Sequence, residues 1–155
     1  MKYITFLLLI SCSFFDHAKE REVNFWDILE GYQASWDGSK VISLLGPPKE
    51  AVDIPDSDQE SWRYYSLETT FQSWAFSFAK NKKVTGVAYF PTSSGKSLYT
   101  MDVEKRWASR KCEHKTATVL TVGHHYTEER NLICDGGRIR VSYNRYNEVE
   151  GIYIR

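Results

Sequence analysis

A chain of 155 residues has room for one domain, or for two small units sharing a core, and five Trp, ten Tyr and eight Phe give it material for that core. The formal charge sums to zero, so whole-chain attraction to a polyanion is excluded and no nucleic-acid partner is expected. That balance hides an asymmetry: residues 12–90 carry 8 Lys/Arg against 12 Asp/Glu, while residues 91–155 carry 11 against 8 and are net basic.

The chain begins MKYITFLLLISCSFF, a Lys at position 2 followed by the apolar run Tyr3–Ile10. The run is too short to span a bilayer, which takes about 20 residues, and has the form of the apolar part of an export signal. Leu9-Ile10-Ser11-Cys12 resembles the bacterial lipobox. That resemblance implies a signal peptide over 1–11, lipidation of Cys12, membrane attachment through that anchor, and a polar tether over 12–22. Ser13 in place of Asp implies sorting to the outer membrane, facing the periplasm. Two alternatives stay open: Ser11-Cys12-Ser13 as a small-x-small cut for soluble export, and an apolar N-terminus of a cytosolic protein.

From 23 to 90 the sequence reads as a helix–helix–three-strand unit. Asn24 caps a helix whose apolar stripe is Phe25, Trp26, Ile28, Leu29 and Tyr32. Asp37 or Ser39 caps a second helix over 40–45, with Val41, Leu44 and Leu45 on one face; Gly46-Pro47-Pro48 ends it abruptly. Residues 51–60 read as an acidic loop. The period then changes to two over 61–67 and 73–79, where Trp74, Phe76 and Phe78 alternate with Ser and Ala. Asn81-Lys82-Lys83 turns the chain into a return strand over 84–90.

After a linker over 91–97, residues 98–155 read as a helix (98–108) followed by a meander: 116–122, 126–134, 138–143 and 148–155, with tight-turn signals at Asp135-Gly136-Gly137. The fold class expected is α+β, short helices on one face of an antiparallel sheet, with the two halves as tandem helix–meander repeats. The alternative for the second half is one longer sheet.

The run Ile28…Gly31…Val41…Leu44-Leu45-Gly46-Pro47-Pro48, then Trp62-x-Tyr64, resembles the SmpA/OmlA-like (BamE-like) family of small outer-membrane lipoproteins. The resemblance covers roughly residues 25–90 and implies two helices on a three-stranded antiparallel sheet. The same unit duplicated is similar to the repeats of the β-lactamase inhibitor proteins, whose concave sheet holds an enzyme. Neither family brings a catalytic residue.

The chemistry-bearing residues are few. Ser93-Ser94-Gly95-Lys96-Ser97 has the ending of a phosphate-binding loop, but Phe90 stands where that loop needs Gly. Cys112, His114, His124, His125 and Cys134 have zinc-binding side chains in no standard zinc spacing. A disulfide between Cys112 and Cys134 explains both thiols more simply in an exported chain. No Gly-x-Ser-x-Gly or His-Glu-x-x-His occurs, and the acidic stretch 50–60 lacks calcium-loop spacing. No catalytic residue, metal or cofactor is therefore expected. Strand alternation points Arg63, Tyr65, Arg138, Arg140 and Tyr153 to an open sheet face, and Arg and Tyr are residue types that protein interfaces enrich.

These observations lead to the expectation of a non-catalytic cell-envelope lipoprotein that binds an envelope protein as accessory or scaffold. The alternatives are a secreted inhibitor that grips an enzyme with the open sheet face, or, from another class, a small envelope hydrolase or metal-binding protein.

Overall fold

The computed structural model describes residues 24–65, 72–92, 95–121 and 125–155. The signal, Cys12, the tether and His124 lie outside the described residues. Helix α1 (Phe25–Gly31) starts where Asn24 Oδ1 accepts from the Trp26 N–H at 3.1 Å. Helix α2 (Gly38–Leu45) is capped likewise by Asp37, which accepts from the Lys40 N–H at 3.1 Å. Gly46 ends it at φ 76°, its N–H donating to the Ile42 carbonyl at 2.8 Å, and the two prolines forbid another turn. Gly38 opens α2 because Trp62 lies against it: a Cβ there would stand 2.7 Å from the indole.

Strands β1 (Glu50–Asp53), β2 (Glu60–Tyr65), β3 (Gln72–Phe78) and β4 (Val84–Tyr89) follow. Helix α3 (Thr100–Arg106) leads into β5 (Cys112–Thr121), β6 (His125–Cys134), β7 (Ile139–Tyr143) and β8 (Val149–Ile154). A 3-10 turn, Asp135–Gly137, joins β6 to β7, with Gly136 and Gly137 at φ 68° and 97°.

All eight strands belong to one antiparallel sheet ordered β1-β2-β3-β4-β8-β7-β6-β5. This overturns the expected fold class. The described residues are sheet-dominated, with three short helices among them, and do not form an α+β pair of tandem helix–meander repeats. The reason lies at β4 and β8, where Val87, Ala88 and Tyr89 pair with Ile154, Tyr153 and Ile152. That pairing carries the sheet through the middle of the molecule without a break. A second correction concerns Glu50–Asp53, read as loop: it is an edge strand pairing with β2 through Ala51↔Trp62 and Val52↔Ser61.

One buried cluster lies between the helices and one face of the sheet. It includes Ile28, Leu29 and Val41 from α1 and α2, Val103 from α3, Phe76 and Phe78 from β3, and Val141 and Ile152 from β7 and β8. The helices are also joined directly. Arg106 donates from Nε and Nη2 to Glu30 Oε1 and Oε2 at 2.7 and 2.8 Å, and Trp107 Nε1 donates to Glu30 Oε1 at 3.2 Å. Trp26 and Trp107 meet edge-to-face at 5.5 Å. Arg106 beside Glu30 holds that carboxyl below the usual carboxylate range against the opposing effect of burial. Cys112 and Cys134, directly opposite in the β5–β6 register, form a disulfide.

Candidate functional site: the uncovered sheet face

The ladder registers define one row of side chains on the face away from the helices. It runs Glu50–Arg63–Ala75–Ala88–Tyr153–Arg140–Ile133–Glu113, one residue from each strand. Directly opposed residues share a face, so each member looks outward with its neighbours. A parallel row includes Ser77 and Gly86, and another includes Gly151, Ser142, Asn131 and Lys115. The centre of the face is thus built of Ala, Ser and Gly, with arginine and tyrosine to either side.

One rim lies on β1 and β2. Tyr65 Oη donates to Glu50 Oε2 at 2.7 Å, and Arg63 Nη1 donates to the same oxygen at 3.4 Å. The hydrogen bond to Glu50 pushes the Tyr65 hydroxyl pKa up, because ionising it would remove the donated proton. The other rim lies on β7 and β8. Arg140 stacks over the Tyr153 ring at 4.6 Å, and Phe90 meets that ring edge-on at 6.0 Å. Arg138 stands just before β7, its Nε donating to the Arg155 carbonyl at 3.2 Å. Arg138, Arg140, Arg155, Tyr153 and Ile133 surround a recess of about 120 Å³. A wider groove of about 630 Å³ adjoins it; its walls include Asn131, Ser142, Tyr146, Glu150 and both members of the Arg140–Tyr153 stack.

Of the five residues expected on this face, the structure brings Arg138, Arg140 and Tyr153 together. It holds Arg63 and Tyr65 on the far rim, four strand spacings or about 19 Å from Arg140. Sequence reading missed Gly151. A Cβ there would meet Tyr153 Oη at 2.7 Å and two ring carbons at 2.9 Å, so the ring lies flat over residue 151 only because it is glycine. The signal was present as Gly-x-Tyr within one strand, since residues two apart share a face. Sequence reading also missed Asn131, which carries no local pattern, whereas the alternation over 138–143 had already set Ser142 on the face of Arg138 and Arg140.

Of the five zinc candidates, His124 and the His125 side chain lie outside the described residues, and Cys112 and Cys134 are joined in the disulfide. His114 Nδ1 lies 2.8 Å from Tyr143 Oη and Nε2 lies 2.8 Å from Glu104 Oε1, a bridge between α3 and the sheet. Burial pushes the Tyr143 hydroxyl pKa up. Among the described residues no three His, Cys, Asp or Glu side chains are grouped to hold a metal ion. Among the same residues no helix is long and apolar enough to cross a membrane.

No family model and no curated protein matches the chain. Among solved structures it is similar to YjgB, a DUF4309 family protein from Bacillus subtilis, at 13% identity over 77% of each chain, with a TM-score of 0.47.

Proposed function

We propose that this chain is a non-catalytic protein-binding module of the cell envelope, exported and lipid-anchored through Cys12, facing the periplasm as accessory or scaffold. The observation that carries the reading is the composition of the uncovered face. Its lane of Ala75, Ser77, Gly86 and Ala88 lets an incoming segment approach the backbone. The flanking rims supply arginine and tyrosine, which contribute large contact area and multiple donors. On the Arg138–Arg140–Arg155 side the face favours an acidic partner segment. The resemblance of residues 25–90 to SmpA/OmlA-like lipoproteins and the Leu-Ile-Ser-Cys run support the envelope address.

A second reading, a freely secreted inhibitor that takes an enzyme loop into the same trough, is favoured by the alternative small-x-small cut at Ser11–Ser13. Fractionation separates the two. With Cys12 lipidated, the protein is in the membrane fraction and Cys12→Ala releases it or leaves the signal uncut; equal partition of the two forms rejects the anchor.

The binding face is tested by pull-down from envelope extract with the double reversal Arg138→Glu, Arg140→Glu. Capture weakens at low salt and less so at high salt, with the thermal midpoint held, since exposed charges contribute little to stability. Undiminished capture by a folded double variant rejects this rim as the binding surface.

A further inference from the structure

The two edges of the sheet differ in what they offer. Strand β1 is four residues long, carries Glu50 and Asp53, and sits between Pro48 and Pro55, all features that deter pairing. Strand β5, at the opposite edge, is ten residues long. Its last six residues, Thr116-Ala117-Thr118-Val119-Leu120-Thr121, include no charge, no proline and no glycine. Strand β7 pairs with β6 only from Arg130 onward, so among the described strands Ala117–Thr121 and His125–Glu129 pair only with each other. They form a two-stranded ribbon beyond the sheet, and two strands alone are marginal in water. The Cys112–Cys134 disulfide ties β5 to β6 at the other end of the pair, beside β7.

The phase of the ladder says which backbone groups are free. Cys112 and Cys134 have their Cα atoms 4.0 Å apart, the spacing of a non-hydrogen-bonded antiparallel pair. The Asp135 N–H donating to the Lys111 carbonyl at 2.9 Å fixes the same phase. The N–H and C=O of Cys112, His114, Thr116, Thr118 and Leu120 therefore point away from β6, to an edge that no described strand occupies. Thr116, Ala117 and Thr118 are exposed.

We propose that the occupant of this edge is β5 of a second copy of this chain, paired antiparallel about a two-fold axis through Ala117. The sequence is self-complementary in that register. Thr116 and Thr118 of the partner subunit exchange backbone hydrogen bonds, and their hydroxyls share a face. Lys115 meets Val119 of the partner subunit, Glu113 meets Thr121 of the partner subunit, and small Ala117 faces its own copy at the axis. An axis through Lys115 would oppose like charges, which disfavours it. The contact is isologous and closes on itself, so it gives a dimer and not a fibre. It leaves the uncovered face free on both copies and is independent of the function proposed above.

The test is sedimentation velocity of the full chain in detergent over a range of concentrations, with three variants. Wild type sediments as a monomer–dimer equilibrium. Thr118→Pro removes an outward N–H while sparing the inner ladder, and weakens dimerisation at least tenfold. Thr118→Lys, which needs no backbone change, weakens it in the same direction. Ala117→Cys cross-links to its own copy on mild oxidation, because a non-hydrogen-bonded pair brings Cα atoms within disulfide reach, whereas Val119→Cys does not. Monomeric wild type at every concentration overturns the proposal, as would capture of an unrelated strand in its place. A dimer unaffected by both Thr118 variants, or equal cross-linking at 117 and 119, overturns it too.

Discussion

Strands β2–β4 face the helices mainly with rings, Trp62, Tyr64, Trp74, Phe76, Phe78 and Tyr89 beside Val84 and Val87, whereas β6–β8 do so mainly with aliphatics, Leu132, Ile139, Val141, Val149, Ile152 and Ile154 beside Tyr143. The aromatic half is covered by α1 and α2, and its rings touch in series: Trp62 on Phe78, Trp74 on Phe76, and Tyr89 on Phe25. The aliphatic half has α3 and a disulfide. Large rings fill depth, so they need a thick cover but supply much buried area per residue. The longest strands are the pair the disulfide ties. Two carboxylates are each fixed between an indole and a cation, one joining α1 to α3 and one within the aromatic half. Glu30 accepts from Trp107 and Arg106, and Glu60 accepts from Trp62 Nε1 at 2.8 Å and from Lys82 Nζ at 2.5 Å.

The largest effect expected is from emptying the aromatic half. Phe76 is fully buried, and Phe76→Ala costs about 3–5 kcal/mol, the range for deleting a core ring. Ile152, equally buried in the other half, costs about 2–5 kcal/mol on truncation to Ala. Urea denaturation ranks them, and a larger loss at Ile152 would reverse the assignment of the aromatic half as the deeper core.

Reduction of the disulfide is next. Cys112 and Cys134 are 22 residues apart, and a loop of that size is worth roughly 3 kcal/mol in the chain-entropy account. Stability falls by that order under reductant, and amide exchange quickens in β5, β6 and β7 before it does in β2 and β3. Uniform quickening across the sheet would show that the staple serves the whole molecule and not its aliphatic half.

The two carboxylate clamps are compared through pH. Both Glu30 and Glu60 have pKa values lowered in the folded state, chiefly by hydrogen bonds from Arg106 and Lys82 respectively. A depressed folded pKa contributes stability above the unfolded glutamate pKa, and that contribution is lost as pH falls through the folded value. Glu30→Gln and Glu60→Gln therefore lower Tm at neutral pH by less than reduction does. Their gap from wild type closes in the acid range. A gap that stays constant down to low pH would assign the effect to packing instead.

Much of this contrast was written locally and some was not. Asn24, Asp37 and Gly46-Pro47-Pro48 mark the ends of α1 and α2 because capping and termination are contests between near neighbours. The alternation Trp74, Phe76, Phe78 marks β3 because a pleat imposes period two. The pairing of β4 with β8 left no mark. Val87 and Ile154 are far apart in sequence, and either half could have been an isolated meander by pattern alone. Strand β1 was hidden by its charges, which are what an exposed edge carries. On the uncovered face, alternation pointed Arg140 and Tyr153 outward, but their stacking depends on Gly151, two residues before the ring.

That glycine gives the smallest expected effect on stability and a sharp one on the face. Gly151→Ala would put a Cβ 2.7 Å from Tyr153 Oη, yet the obstructing atoms are the far end of a side chain that can swing outward. Replacing glycine in a strand also removes freedom from the unfolded chain, worth about 0.4–1 kcal/mol in favour of folding. The two effects oppose, so stability changes by less than about 1 kcal/mol. Gly86→Ala is the contrast: its Cβ would lie 3.3 Å from the Ile154 carbonyl, a backbone atom at the β4–β8 join that cannot swing aside, and the variant loses stability. In Gly151→Ala the Arg140 side chain, now 4.6 Å over the Tyr153 ring, leaves the ring's shielding cone, and its δ-methylene proton resonances move downfield. Partner capture falls with the stack intact in sequence but broken in space. Unmoved Arg140 resonances in a stable Gly151→Ala variant would mean that the tyrosine does not depend on the glycine, and the stack would have to be explained by Phe90 and Arg140 alone.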